Sequence, residues 1–107
     1  MDRGPYFWTI KNVAFETDDA ITIIFDTGGE GFKFLAGQFI NVTLVMGSEN
    51  ISRSYSLTSR PSDDYPTITV KRVPDGVMSN YLMDYWREIG TLKVEGPFGN
   101  FVLPTPV

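Results

Sequence analysis

Arg53-Ser54-Tyr55-Ser56-Leu57-Thr58-Ser59 places one cation, one flat ring and a run of hydroxyls in a single segment. Its Tyr, Leu and Thr content and its alternation predict a β-strand. An arginine there suits a phosphate, a tyrosine ring lies well against another planar ring, and a Ser or Thr hydroxyl can donate to a ring heteroatom. Together the residues describe a ligand with an anionic half and an aromatic half. Taken alone, they equally suit an edge strand with an exposed Arg, a half-buried Tyr and solvated hydroxyls. The rest of the chain decides between the two.

On either side of this segment the pattern is β. Residues 6–15 alternate loosely around Phe7, Thr9, Lys11 and Val13, and residues 21–25 are a β-branched run, with Glu16-Thr17-Asp18-Asp19 as the turn between them. After the turn Thr27-Gly28-Gly29-Glu30-Gly31, a strand is expected over 34–45, with Ile40, Val42 and Leu44 on one face. Gly47-Ser48-Glu49-Asn50 turns it back into the Arg53 strand. Residues 59–66 read as a mobile polar loop, and residues 67–73 resume alternation with Ile68, Val70 and Arg72 on one side. Tyr81, Leu82, Tyr85, Trp86 and Ile89 then recur at helical spacing, with Gly90 as the expected C-terminal cap and Ser79, or an earlier residue of Gly76-Val77-Met78-Ser79, as the N-cap. A last strand covers 91–95, and residues 103–107 resemble the start of a linker. The sum predicts an all-β fold: a small six-stranded antiparallel Greek-key β-barrel with one short α-helix. Closure is favoured because it removes the edges of short strands.

Composition narrows the chemistry. A chain of 107 residues has room for one domain. Without cysteine it holds no disulfide, thiolate zinc site, iron–sulfur cluster or Cys nucleophile, and without histidine it lacks the commonest general base and metal ligand. No metal site is expected, and redox or group-transfer chemistry would come from an organic cofactor. The net charge of −4 argues against nucleic acid as a partner. No apolar run approaches the ~18 residues of a membrane span, so a cytoplasmic protein is expected. Within this acidic chain, Arg53, Arg60, Lys71 and Arg72 supply four of the nine basic residues, which suits a small anion. Arg60 and Arg72 read better as solvated strand-edge charges.

A second element points to an anion. Gly76-Val77-Met78-Ser79 opens the predicted helix, whose first amides lack partners and carry the positive end of the helix dipole, and Ser79 adds a hydroxyl. Most such turns are ordinary caps. Paired with Arg53, however, this one could hold a pyrophosphate between a strand and a helix start, and a flavin nucleotide combines that group with a flat ring. Gly96-Pro97-Phe98-Gly99 lacks the Gly-x-Gly-x-x-Gly pattern and a following helix, so it signals no dinucleotide-binding Rossmann unit.

Four motifs in order, Phe34-x-x-Gly37-Gln38-Phe39, Arg53-x-Tyr55-Ser56-Leu57-x-Ser59-x-Pro61, Val70-Lys71-x-Val73 with Gly76-x-x-Ser79-x-Tyr81-Leu82, and Gly96-Pro97-x-Gly99-x-Phe101, cover essentially the whole chain. In them the chain resembles the FAD-binding domain of the ferredoxin–NADP reductase family, which includes flavodoxin reductases and reductase components of bacterial oxygenases. The resemblance implies that Arg53, with Ser54 beside it, contacts the flavin pyrophosphate, that Tyr55 packs against the flavin and its ribityl chain, and that Ser56 lies near flavin N5 as the catalytic residue. It implies that Val70, Lys71 and Val73 line the ring, largely through backbone groups, and that Gly76, Val77, Met78 and Ser79 serve the phosphates. Ala36 stands where the family usually has Pro, which should alter only turn stiffness.

The resemblance implies FAD as cofactor, with FMN the lesser candidate, and an FAD-dependent NAD(P)H oxidoreductase whose flavin takes hydride at N5 and passes electrons to an iron–sulfur or haem acceptor. Residues 1–107 would be the FAD-binding domain alone. The family's NAD(P)-binding domain is absent from this chain, so an excised domain is expected, poorly active with NAD(P)H by itself, with a separate partner chain as the other arrangement. The choice between NADH and NADPH belongs to that missing domain. A different class, a cofactor-free β-barrel protein-interaction module docking through Tyr55, Tyr65 and Phe98, stays open on the residues alone. An oligonucleotide-binding barrel is disfavoured by charge.

Overall fold

The computed structural model describes residues 3–99, Met46 as backbone only. Six antiparallel strands, β1 (Tyr6–Thr17), β2 (Ala20–Asp26), β3 (Phe39–Met46), β4 (Glu49–Ser56), β5 (Thr67–Lys71) and β6 (Thr91–Phe98), are joined by one helix, α1 (Val77–Tyr85), and a 3-10 turn over Trp86–Glu88. The sheet order is β4-β3-β6-β1-β2-β5. The links from β2 to β3 and, through α1, from β5 to β6 both skip neighbours, giving the expected Greek-key barrel.

Closure rests on a short contact. Leu57 and Ile68 form an isolated antiparallel bridge, and the Thr58 amide donates to the Thr67 carbonyl at 2.9 Å. Elsewhere β4 pairs with β3 and β5 with β2, so the facing edges of β4 and β5 are left apart. Inside the curl lie Ile21, Ile23, Phe25, Ile40, Val42, Ile68, Val70, Leu92 and Val94, each fully buried. At ~1.5–3 kcal/mol per large apolar side chain, these residues supply the main term holding the sheet curled. Met78, Leu82 and Met83 on α1 are buried too, so the helix plugs the open end beside β5 and β4.

Several boundaries differ from the sequence reading. In β1 the buried residues are Trp8 and Val13, while Phe7 is 65% exposed. A register shift between Ile10 and Asn12 inserts Lys11 as an extra residue, which reverses the alternation of the first half. The strand expected from residue 34 starts at Phe39, because Leu35–Gln38 is a turn closed by the Gln38 amide on the Leu35 carbonyl at 3.1 Å. The strand read over 67–73 ends at Lys71. Helix α1 stops at Tyr85, and Gly90 lies beyond the 3-10 turn, whose C-cap is Ile89. Of the N-cap residues the sequence offered, the structure uses the earliest, Gly76, and Ser79 is inside the first turn. The loop over 59–66 is tied down by the Thr67 amide on Ser59 Oγ at 3.0 Å and the Arg60 amide on Asp63 Oδ2 at 2.8 Å. Phe101 and the linker reading of 103–107 lie outside the described residues.

Candidate functional site

Where β4 and β5 part, a cavity of about 400 Å³ opens between the sheet edges and the start of α1. Arg53, Ser54 and Tyr55 of β4 form one wall, Lys71 and Val73 the opposite one, and Pro74, Asp75, Gly76, Val77, Met78 and Ser79 the end. Its size falls within the range of small-molecule sites.

The end wall is shaped by a tight turn. The Gly76 amide donates to the Val73 carbonyl at 2.8 Å, with Pro74 second and Asp75 third at φ +64, the pattern of a type II turn. Gly76 itself has an ordinary φ of −75. Its missing side chain matters for another reason: a Cβ there would stand 2.7 Å from Ser79 Oγ and 3.0 Å from the Val73 carbonyl oxygen. Ser79 Oγ is occupied as an acceptor for the Val73 amide at 3.1 Å. The space that Gly76 leaves open is thus taken first by the serine hydroxyl that braces the turn.

Among the described residues no side chain caps α1. The amides of Val77, Met78 and Ser79 thus keep free N–H groups at the positive end of the helix, on the wall of the cavity. Across from them, Arg53 and Lys71 carry no ion pair among the described residues, whereas Arg60 pairs with Asp63 and Arg72 with Asp84. The four cations clustered in the sequence are thereby divided into two facing the cavity and two elsewhere, Arg72 in a close pair and Arg60 in a loose, exposed one at 3.9 Å. Arg53 Nη1 donates to its neighbouring Ser52 carbonyl at 2.7 Å, leaving further donors available. Burial pushes the Tyr55 phenol above tyrosine's ordinary value, with the Arg53 guanidinium pulling it partly back, so the phenol stays a proton donor at neutral pH. Half-buried, half-open Tyr55 is a flat apolar face with a polar tip.

The sequence matches the profile of the oxidoreductase FAD-binding domain over residues 9–103. The chain belongs to that family. This FAD-binding domain is 38% identical over 95 residues to the glycine betaine monooxygenase reductase subunit of Pseudomonas aeruginosa, covering 88% of this chain and 24% of that protein. It is 42% identical over 103 residues to the flavohemoprotein of a Burkholderia species, covering 94% and 26%. Among solved structures, a ferredoxin NADP+ reductase from Neisseria gonorrhoeae with bound FAD and NADP superposes with a TM-score of 0.76 at 26% identity, over 92% of this chain and 39% of that one. The domain thus spans about a quarter of the length of the curated relatives it matches.

FAD is the cofactor of this family, and the groups on the cavity wall suit it. A diphosphate needs donors and positive charge, which the uncapped amides and Arg53 provide, and a flat ring needs a face such as Tyr55. A cofactor-free interaction module is not supported. Of the residues it would use, Tyr55 lines the cavity, Phe98 packs on Phe39 with ring centroids 5.7 Å apart, and Tyr65, though 40% exposed, has the Lys11 ammonium 4.8 Å from its ring centroid.

Nine of the site residues named from sequence line the cavity: Arg53, Ser54, Tyr55, Lys71, Val73, Gly76, Val77, Met78 and Ser79. Two do not. The Val70 side chain is wholly buried in the core, opposite Ile21, and Ser56 is exposed at the end of β4, opposite Phe39. Pro74 and Asp75, to which the sequence reading gave no role in the site, also line the cavity; their place directly before Gly76 was the available signal. Among the described residues no cluster of side chains could hold a metal ion, and no helix is long and apolar enough to cross a membrane.

Proposed function

We propose that this FAD-binding domain is the flavin half of an NAD(P)H-dependent electron-transfer oxidoreductase. Bound in the cavity, FAD supplies hydride acceptance at N5 from a nicotinamide and release of electrons one at a time to an iron–sulfur or haem acceptor. The observation that carries this reading is the convergence of Arg53 and the uncapped amides of Val77, Met78 and Ser79 on one cavity, in a chain of this family.

In this reading Arg53 and the helix start grip the diphosphate from two sides. Tyr55 and the backbone of Val70, Lys71 and Val73 flank the ring, with Ser54 on the β4 wall. Ser56, at the exposed end of β4, is assigned to the reacting edge of the ring as a hydrogen-bonding group. The nicotinamide-binding domain is supplied by the same polypeptide or by a separate chain. Relatives named as a monooxygenase reductase subunit and a flavohemoprotein support an oxygenase component or a haem as the electron acceptor. A cytoplasmic location agrees with a cysteine-free chain that works with a nicotinamide donor.

The test is direct. The purified chain should be yellow, or should quench the fluorescence of added FAD with saturation at one equivalent, and FMN should bind more weakly. A colourless protein that leaves FAD fluorescence unchanged would refute the assignment.

A further inference from the structure

The helix start that faces the cavity is held from behind by a residue outside it. Arg72 follows β5 and is not on the cavity wall. Its Nη1 donates to Asn80 Oδ1 at 2.6 Å, and its Nη2 donates to Asp84 Oδ1 at 2.8 Å, with a second Nη1 contact to Asp84 Oδ2 at 3.3 Å. Asp19, in the β1–β2 turn, stands 4.0 Å from Nε. One guanidinium thus joins the end of β5, the first hairpin and the second turn of α1.

Asn80 passes this restraint to the turn. Because its Oδ1 accepts from Arg72, its Nδ2 is directed at the Gly76 carbonyl at 2.7 Å and the Val73 carbonyl at 3.3 Å. The Asn80 backbone amide also donates to the Gly76 carbonyl, at 3.3 Å. The Gly76 carbonyl and the Val77 amide belong to one planar trans peptide, so they point in opposite directions. Drawing the carbonyl down the helix aims the Val77 N–H out of its end, on the side of the cavity.

We propose that Arg72, acting through Asn80, is a positioning residue for phosphate recognition: it sets the direction in which the first amides of α1 meet the cofactor's diphosphate. The inference rests on the reading of the cavity as a flavin-nucleotide site. A simple strut between helix and sheet would use the same ion pair without affecting phosphate preference, and that difference is measurable.

The 107-residue chain is titrated with FAD and with riboflavin, which has the ring but no phosphate, as wild type, Arg72→Ala and Asn80→Asp. Asn80→Asp keeps an oxygen for Arg72 and removes the donor to Gly76, so it retains the strut and breaks the relay, and titration at high salt screens the added carboxylate's repulsion of the diphosphate. The expected result is FAD affinity weakened about tenfold in both variants, the scale of one lost hydrogen bond to a charged group, with riboflavin affinity unchanged. FAD affinity unchanged in a folded Asn80→Asp chain overturns the proposal, as does an equal loss for both ligands. Should Arg72→Ala fail to fold, Asn80→Asp decides alone. A wild-type chain that binds FAD no better than riboflavin removes the phosphate site itself, and the relay with it.

Discussion

The Val73 amide donates to the Ser79 hydroxyl at 3.1 Å, and a methyl group on the intervening Gly76 would come within 2.7 Å of that same oxygen. The phosphate-facing turn is therefore built around a serine already committed to the backbone. Gly76→Ala should destabilise the fold by ~1–3 kcal/mol through overpacking, since its φ alone is acceptable to alanine. Ser79→Ala should cost a similar ~1–3 kcal/mol by leaving the Val73 amide without its acceptor. Because removing the hydroxyl also removes the closest clash, the double variant should cost less than the sum of the two. A denaturant-based double-mutant cycle showing strict additivity would contradict this packing account.

Arg53 faces the cavity with no carboxylate partner among the described residues. Arg53→Ala should therefore leave stability nearly unchanged while weakening FAD binding by ~1.5–3 kcal/mol, roughly tenfold to a hundredfold. Isothermal titration against FAD reads the effect directly; an unchanged Kd would take Arg53 out of the site.

Ser56 is exposed and outside the cavity lining, so Ser56→Ala should bind FAD as the wild type does. When the chain is joined to or mixed with a nicotinamide-binding domain, the same variant should slow the bleaching of the flavin by NAD(P)H in stopped flow. An unaltered rate would remove Ser56 from the mechanism.

The hydrogen bond from Arg72 holds the Asp84 carboxyl below the ordinary carboxylate range, opposed by desolvation and helped by the guanidinium's charge. A depressed folded-state pKa gives stability that is present above the unfolded value, ~3.9, and lost as pH falls through the lower folded value. Urea unfolding of the wild type should accordingly show an acid limb that Asp84→Asn flattens. Parallel pH profiles for the two chains would show that the pair contributes nothing to acid sensitivity.

Hydrophobic alternation at residues 40–44 and 68–70 was enough to assign β3 and β5, because each strand keeps one face in the core and period two survives along it. The same rule failed in β1, where the bulge at Lys11 reversed the phase and put Trp8, not Phe7, inside. A bulge is decided by the partner strand, and no local feature of residues 6–15 announces it. Helix α1 was visible from Tyr81, Leu82 and Tyr85, and its N-cap was narrowed to the Gly76–Ser79 turn without being fixed within it. Ser79 is a good N-cap residue by type, yet here its hydroxyl serves the Val73 amide from within the first turn.

The residue types of the site, an arginine and a tyrosine on one strand and a glycine-serine turn opening a helix, were fixed by sequence, since their chemistry is local. So was the fold class, because strand periodicity and turn residues act over a few positions. Sequence had already set Arg60 and Arg72 apart from Arg53 and Lys71, and tertiary structure decided what each of them meets. Arg60 and Arg72 find carboxylates at Asp63 and Asp84, while Arg53 and Lys71 are turned to the gap that opens past the Leu57–Ile68 bridge. The Arg60–Asp63 pair is local, but the Arg72–Asp84 pair and the meeting of Arg53 and Lys71 on one cavity depend on where the chain brings residues together, which distance along the sequence does not contain.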